Sequence, residues 1–294
     1  RHLNIPNDYL LVTGDITSLY TNMTIKRSLE VVKKAFLDHP DINRPDQAIL
    51  DLLNICLKGS DFTFAGRFFN QICGTAMGKK FSPSLANLYL LEFDSIVVNN
   101  YHIKPLFYFR FLDDVFFVWP GTHAELVLFN NFLNSQIEGI EITLVPKLEV
   151  CEFLDTRVYK KHFPGNLCSL NTRVFFKDTD THQLLHGSSF HPRHTTKGIL
   201  KSQLIRFKRL SSNKLEFDYA CYVLFKVLKN RGYKRSVFRS LKHEVWTSTN
   251  PYLLQPKPKT STHNIFPIIN YFDPVSSLIM RDTRKHVIDL PVLS

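Results

Sequence analysis

Residues 108–119 read YFRFLDDVFFVW, two adjacent aspartates inside a run that is otherwise almost wholly aromatic and β-branched. Such residues favour the pleated, half-buried surface of a sheet, so the stretch predicts two strands meeting at Asp113-Asp114. A tight hairpin turn ordinarily carries Gly or Asn at its tip, and neither is present here. Carboxylates at the tip of a rigid apolar hairpin are the oxygen donors that a hard divalent cation such as Mg²⁺ takes. Two such ions, held about 3.5–4 Å apart, need a further carboxylate from elsewhere in the chain.

Asp15 is the candidate. It closes the apolar strand predicted over residues 9–16 (YLLVTGDI), where an acid is costly unless it meets a cation or a partner. A strand-end Asp taken alone is commonly a turn or cap residue. Between Asp15 and the aspartate pair lies QICGTAMGKKFSPSLANLYL (71–90), whose glycines permit close backbone approach to a ligand ahead of a helix.

Thr24 is placed to cap a helix that ends before Pro40, with Ile25, Leu29, Val32 and Phe36 on one face. A second helix is predicted over 46–57 with Ile49, Leu52, Leu53 and Cys56 inward. Residues 61–72 predict a hairpin turning at Ala65-Gly66. Ser82-Pro83 predicts a cap followed by proline at the first helical position, opening one buried helix over 82–98. A helix is expected over 123–137 and strands over 142–159 and 170–176. From about Thr195 the texture is helical, and 247–264 reads as an irregular loop. The fold class is α+β, a mixed sheet-and-helix body followed by a helical tail.

The chain carries +11 overall, and its cations are unevenly placed. Between His191 and Lys242 stand fourteen Lys and Arg against two acids, Glu216 and Asp218, so the remainder is close to neutral. That segment is where a polyanion such as nucleic acid is expected to lie, the plainer alternative being a solvated charged face. Five scattered cysteines offer neither a disulfide framework nor zinc spacing and indicate a reducing, intracellular setting. His182, His186, His191 and His194 cluster without a cysteine at finger spacing, so they read as structural or phosphate-facing. No apolar run reaches the length of a membrane span, so no membrane partner is expected.

The motifs DITSLYTN, QICGTAMGKKFSPSLANLYL and FRFLDDVFFVW, in that order, resemble motifs A, B and C of reverse transcriptases, most closely those of Penelope-like retroelements, relatives of telomerase. EFLDTRV (152–158), the segment 175–212 and NRGYKRSV (230–237) extend the resemblance from Tyr9 to about Lys242. It implies a right-hand polymerase: palm with partial fingers over 1–190, primer grip and basic helical thumb over 191–294. Asp15, Asp113 and Asp114 would be the catalytic metal ligands for two Mg²⁺ ions, with Mn²⁺ an alternative. Tyr20 would be the sugar gate that excludes a 2′-hydroxyl. Gln71, Gly78 and Ser82 would belong to the nucleotide and template pocket, and His191, Lys201, Arg206 and Arg209 would meet nucleic acid. An RNA template, a DNA primer and dNTPs are the implied partners, and a nuclear location is implied.

Met77 stands where many of these enzymes have Gln, and Leu112 where Val or Ala is commoner. The chain does not begin with Met and Arg1 lies fourteen residues before Asp15, so it reads as part of a longer product, without the family's basic fingers motifs or its GIY-YIG nuclease. Three rivals follow: a catalytically inactive nucleic-acid-binding remnant, an RNA-copying RNA polymerase (against which Tyr20 argues) and a structural scaffold. Oligomeric state is left open.

Overall fold

Alternation in LLVTGDI sends Leu10, Val12, Gly14 and Ile16 to one side of a strand and Leu11, Thr13 and Asp15 to the other. The computed structural model, which describes residues 4–250, builds both sides into cores. The chain divides after Asn171 into two units.

In the first unit, β2 (Leu10–Ile16) is central to an antiparallel sheet ordered β5 (Tyr108–Phe111), β6 (Asp114–Trp119), β2, β7 (Ile142–Lys147). Val12 and Ile16, with Val115, Phe117 and Trp119 of β6, face a core completed by the helices. Those helices are α1 (Leu19–Asn22), α2 (Ile25–Asp38), α3 (Asp46–Lys58), α4 (Ser82–Tyr89), α5 (Leu91–Asn99) and α6 (His123–Asn134). On the opposite side Leu11, Phe116 and Val118 pack with Ile5, Cys151, Val158 and Cys168. These come from a second sheet ordered β1 (Asn4–Pro6), β10 (Leu167–Val174), β9 (Thr156–His162), β8 (Val150–Phe153). A separate ribbon, β3 (Asp61–Phe64) with β4 (Arg67–Asn70), turns at Ala65-Gly66 as predicted and is exposed along its whole length.

Thr24 caps α2 by accepting the Arg27 N–H, and Thr122 and Glu125 form a reciprocal capping box at α6. Three predicted features differ. The single helix over 82–98 is two, α4 and α5, parted at Leu90, whose ψ of 1° leaves the helical range. Ser82 is no cap, because Phe81 takes that place and Ser82 begins the helix. The inward face of α3 is Leu50, Leu53 and Leu57, while Leu52 and Cys56 are exposed. The amphipathic stripe is thus one position out of phase with the prediction, since Leu at 50, 52, 53 and 57 allows either face.

Lys160 is buried, and its Nζ donates to the carbonyls of Asn7 and Tyr9, 2.6 Å each, where the chain passes from β1 to β2. Lys160→Met keeps the stem but orphans both oxygens, which is expected to cost about 2–4 kcal/mol. Urea unfolding checks this. A loss below about 0.5 kcal/mol would mean that water replaces the ammonium.

The second unit begins before the predicted 190/191 division. Thr172 exchanges hydrogen bonds with Ser212, and Val174 is buried with the helices, so the end of β10 belongs to this unit. Three helices follow: α7 (Arg193–Leu210), α8 (Lys214–Lys229) and α9 (Arg235–Thr247). Their core is Leu200, Leu204, Phe207, Phe217, Cys221, Leu224, Leu228, Phe238 and Val245. Lys208 donates from Nζ to the carbonyls of Val245, Trp246 and Ser248 at 2.9–3.0 Å, closing the C-terminal end of α9.

All five cysteines are free, and burial pushes the Cys151 and Cys221 thiols up to about 12. No helix among the described residues is long and apolar enough to cross a membrane. The loop predicted over 247–264 lies almost entirely outside the described residues.

Candidate active site

Phe111 and Asp114 are paired across β5 and β6, so only Leu112 and Asp113 make the turn between them. A two-residue hairpin turn of this hand needs positive φ at its first position, and Leu112 takes φ 55°. A γ-branched residue pays strain there of roughly 1–3 kcal/mol. The surroundings hold it in place. Arg110 donates from Nη1 to the Leu112 carbonyl at 3.0 Å, and the Ile16 N–H donates to the Asp113 carbonyl at 3.0 Å.

Arg110 is itself fixed by the helices on the other side of the chain. Its Nε and Nη2 make a two-pronged contact with Asp94 of α5 at 2.7 and 2.6 Å, and Nη1 reaches Asn87 of α4. Tyr108 adds a third donor to Asp94 at 2.9 Å. Burial, then the Asp94 charge, drives the Tyr108 phenol far above its ordinary pKa, so it remains a donor. Arg110, with 8% of its side chain exposed, makes the forked kind of contact that fixes orientation as well as distance.

Register then brings the acids together. Asp15 of β2 is the direct cross-strand partner of Asp114 of β6. Residues directly opposite share a face with Cβ atoms about 4.5–5.5 Å apart. That face is the one bearing Leu11, Phe116 and Val118, opposite the helices. Asp113 adjoins it in the turn. Among the described residues no three His, Cys, Asp or Glu side chains are gathered closely enough to hold a metal ion. The carboxylates therefore stand side by side without closing on a point. Their all-oxygen donor set suits Mg²⁺ or Mn²⁺, and two like charges directly opposite on a sheet are unfavourable without a cation between them.

Tyr20 follows on α1, half-buried. Burial, then the Asp113 charge, holds its phenol above the ordinary value, so it is neutral at any working pH and lies within electrostatic reach of that acid. The loop that precedes α4 is sewn to this helix. Gly74 N–H donates to the Met23 carbonyl at 2.9 Å and Thr75 N–H to the Tyr20 carbonyl at 2.7 Å. Gly74 has φ 80°, and a Cβ there would stand 2.4 Å from the Tyr20 carbonyl oxygen and 2.7 Å from the Thr21 Cα. No other residue fits.

The remaining predicted residues of this pocket divide. Gly78, at φ 92°, faces open space, and Gln71 is half-buried with its side-chain amide donating to the Cys73 carbonyl. Ser82 is fully buried, with its hydroxyl engaged by Thr75 Oγ1 and the Ala76 carbonyl, both at 2.9 Å. It shapes the loop from within. Nothing in the sequence marks Arg110, Asp94 or Thr75 for this site. Gly74 alone carries a signal, as the first glycine of GTAMG.

In the second unit His191 is exposed, its ring 3.1 Å from Ser189 Oγ, and Arg206 and Arg209 lie on α7, half-buried and exposed. Lys201 pairs with Glu244 of α9 at 2.5 Å, an exposed pair worth about 0–1 kcal/mol. The four clustered histidines do not assemble. His182 pairs with Asp180 and His186 with Ser188.

Residues 183–243 match the family described as animal helix-turn-helix domain. No curated protein matches the chain. Among solved structures it is similar to telomerase from Candida albicans in complex with a fragment of telomeric RNA, at TM-score 0.56 and 11% identity, over 81% of this chain and 44% of that one. It is also similar to the RNA-dependent RNA polymerase of a human picobirnavirus, at TM-score 0.49 and 12% identity, over 76% and 42%. A Sicinivirus RNA-dependent RNA polymerase gives TM-score 0.44 and 14% identity, over 82% and 52%. The chain thus spans about half the length of these proteins or less. Its fold, mixed α+β with antiparallel sheets followed by helices, is that of polymerase palm and thumb.

Proposed function

We propose that the chain is the palm and thumb of an RNA-directed DNA polymerase of a retroelement, of the Penelope-like kind, joining deoxynucleotides from dNTPs to a DNA primer on an RNA template. The observation that carries it is the register pairing Asp15 with Asp114, with Asp113 in the adjoining turn and Tyr20 within its electrostatic reach.

Divalent cations bound by Asp15, Asp113 and Asp114 would supply charge neutralisation at the attacking and leaving oxygens of the phosphoryl group. The chain's own residues position the reactants. Arg110, through the Leu112 carbonyl, keeps the turn that presents Asp113 from relaxing. Gly74 and Thr75 bind the motif-B loop to the backbone carbonyls of Met23 and Tyr20, so loop and ring are held as one body. The neutral phenol stands against the sugar and excludes a 2′-hydroxyl by its bulk. The basic α7 surface takes the phosphates of the template–primer duplex irrespective of sequence. Carboxylates that stand side by side without closing also favour the second reading, an inactive nucleic-acid-binding remnant.

The test is primer extension on an RNA template by the product of the complete reading frame, with dNTPs and NTPs compared. Wild type is expected to add dNTPs in Mg²⁺. Tyr20→Ala is expected to raise the NTP-to-dNTP ratio of kcat/KM by about tenfold to a hundredfold. An unchanged ratio would make Tyr20 an ordinary packing residue. Duplex binding with no nucleotide addition would establish the remnant.

A further inference from the structure

We propose that α9 is a groove-docking helix for B-form duplex DNA, presented by a helix–turn–helix with α8 and separate from the α7 surface that serves the template–primer duplex. This surface does not depend on polymerisation.

The connection from Lys229 to Arg235 is five residues, 230–234, with Gly232 at φ 78°. It is strapped by the segment preceding α7. Arg231 Nε donates to the Leu184 carbonyl at 2.9 Å, Gly187 N–H to the Arg231 carbonyl at 2.8 Å, and Tyr233 Oη to the Leu185 carbonyl at 2.6 Å. A Cβ on Gly187 would lie 2.7 Å from the Gly232 carbonyl oxygen, so the two backbones touch. The angle at which the chain enters α9 is thereby fixed, and Lys208 fixes the other end of the helix. Two helices joined by a short glycine-bearing turn, the second held rigid, is the arrangement in which the second helix enters a groove.

Its two faces are chemically distinct. Phe238 and Val245 are buried in the core of the unit. Arg235, Ser236, Arg239, Ser240 and His243 are exposed, at the i, i+1, i+4, i+5 and i+8 spacing of one continuous face. Among the described residues the side chains of Arg235, Arg239 and His243 have no hydrogen-bond or ion-pair partner. Glu244, the acid bordering this face, is taken by Lys201. Lys226, Lys229 and Lys234 add exposed cations around the turn. The face is therefore cationic and hydroxylated, with its arginines in the N-terminal half, the part of a docking helix that meets base edges.

Shape selects the duplex. An α-helix with its side chains is about 10–12 Å across, and the B-form major groove is about 12 Å wide. The major groove of A-form RNA is deep and narrow and closed to side chains. An RNA–DNA hybrid is closer to that form, so α9 is expected to bind duplex DNA in preference to the hybrid.

Fluorescence anisotropy with the full chain decides it, using a blunt DNA duplex of about 20 base pairs and an RNA–DNA hybrid of the same length and sequence. Arg235→Ala with Arg239→Ala is expected to weaken DNA-duplex binding about tenfold to a hundredfold. Its salt dependence should flatten by about 0.9 in log–log slope for each phosphate the variant no longer neutralises. Hybrid affinity should stay within about twofold of wild type, because its contacts are placed on α7. Conversely, neutralising Arg206 and Arg209 should weaken the hybrid and spare the DNA duplex. Both pairs of residues lie on the solvent side of their helices or partly so, and matching melting curves confirm intact folds. Unchanged DNA binding in the α9 variant, or equal losses for DNA and hybrid, overturns the proposal. No primer extension by the wild-type protein, with its DNA-duplex binding intact, would overturn the polymerase reading alone.

Discussion

Asp15→Asn is expected to lower Mg²⁺-dependent primer extension by about a thousandfold or more, with template–primer affinity held within about a factor of two. The amide is isosteric but carries no charge, so the strand and its pairing with β6 persist while the site loses one of its anions. A second readout needs no turnover. Asp15 and Asp114 are direct cross-strand partners, and like charges so placed cost roughly 0.2–1 kcal/mol. Adding Mg²⁺ should raise the wild-type melting temperature and leave the variant nearly unmoved, since a ligand stabilises only the state that binds it. Extension within about tenfold of wild type, or an equal Mg²⁺ response in both proteins, would falsify the assignment of Asp15 as a metal ligand.

Gly74→Val should be nearly as damaging by a different route. The side chain would collide with the backbone of Tyr20 and Thr21 and would have to adopt φ 80°. The loop must then move, breaking the Gly74–Met23 and Thr75–Tyr20 hydrogen bonds. Strain and the rupture of both bonds together predict about 2–4 kcal/mol of destabilisation. Displacing the loop by an ångström is enough to cost about a hundredfold in extension. Gly78→Ala is the control. It also has positive φ but faces open space, so it should cost only about 1 kcal/mol. Denaturant unfolding and single-turnover extension on both variants check this. Equal penalties at 74 and 78 would mean that backbone strain alone, and not the contact with Tyr20, is what Gly74 avoids.

Local patterns carried much of the architecture. Thr24 as a cap, Ala65-Gly66 as a hairpin turn and the aspartate pair at a bend all rest on residues within a few positions of each other, and the structure contains each of them. The losses come from two kinds of information. One is phase: α3 offers apolar residues at too many spacings for periodicity to choose its inward face. The other is long-range pairing. Nothing near Arg110 announces that Asp94, sixteen residues away, will receive it, or that Lys160 will serve carbonyls at Asn7 and Tyr9. Leu112 is a case of its own. A leucine at positive φ is hidden from propensity, yet the chain repeats the device. Phe153-Leu154-Asp155-Thr156 turns between β8 and β9 with Leu154 at φ 54°, which divides the strand predicted over 142–159. Phe-Leu-Asp stands at 36–38 as well, where it ends α2, so the tripeptide alone gave no signal for the turn. Of the candidate site, the three acids and Tyr20 were legible as residues. The scaffold that aims them was not, because it is built from contacts between elements.

The β3–β4 ribbon has a consequence for how the protein behaves in a tube. Phe62, Phe64 and Phe69 share one side of it with Arg67, Phe68 lies on the other, and Phe62 stacks on Phe69 at 5.5 Å. In the two larger sheets of this chain, interior strands have both edges paired. The ribbon has two strands only, so each presents an open row of backbone donors and acceptors beside exposed phenyl rings. A short, flat, greasy strip of this kind invites edge-to-edge stacking between molecules. The net charge of +11 opposes such encounters through long-range repulsion, but added salt screens that repulsion and strengthens apolar association. Raising ionic strength, the usual remedy for a basic protein that sticks to nucleic acid during purification, is therefore the condition under which this ribbon drives clumping.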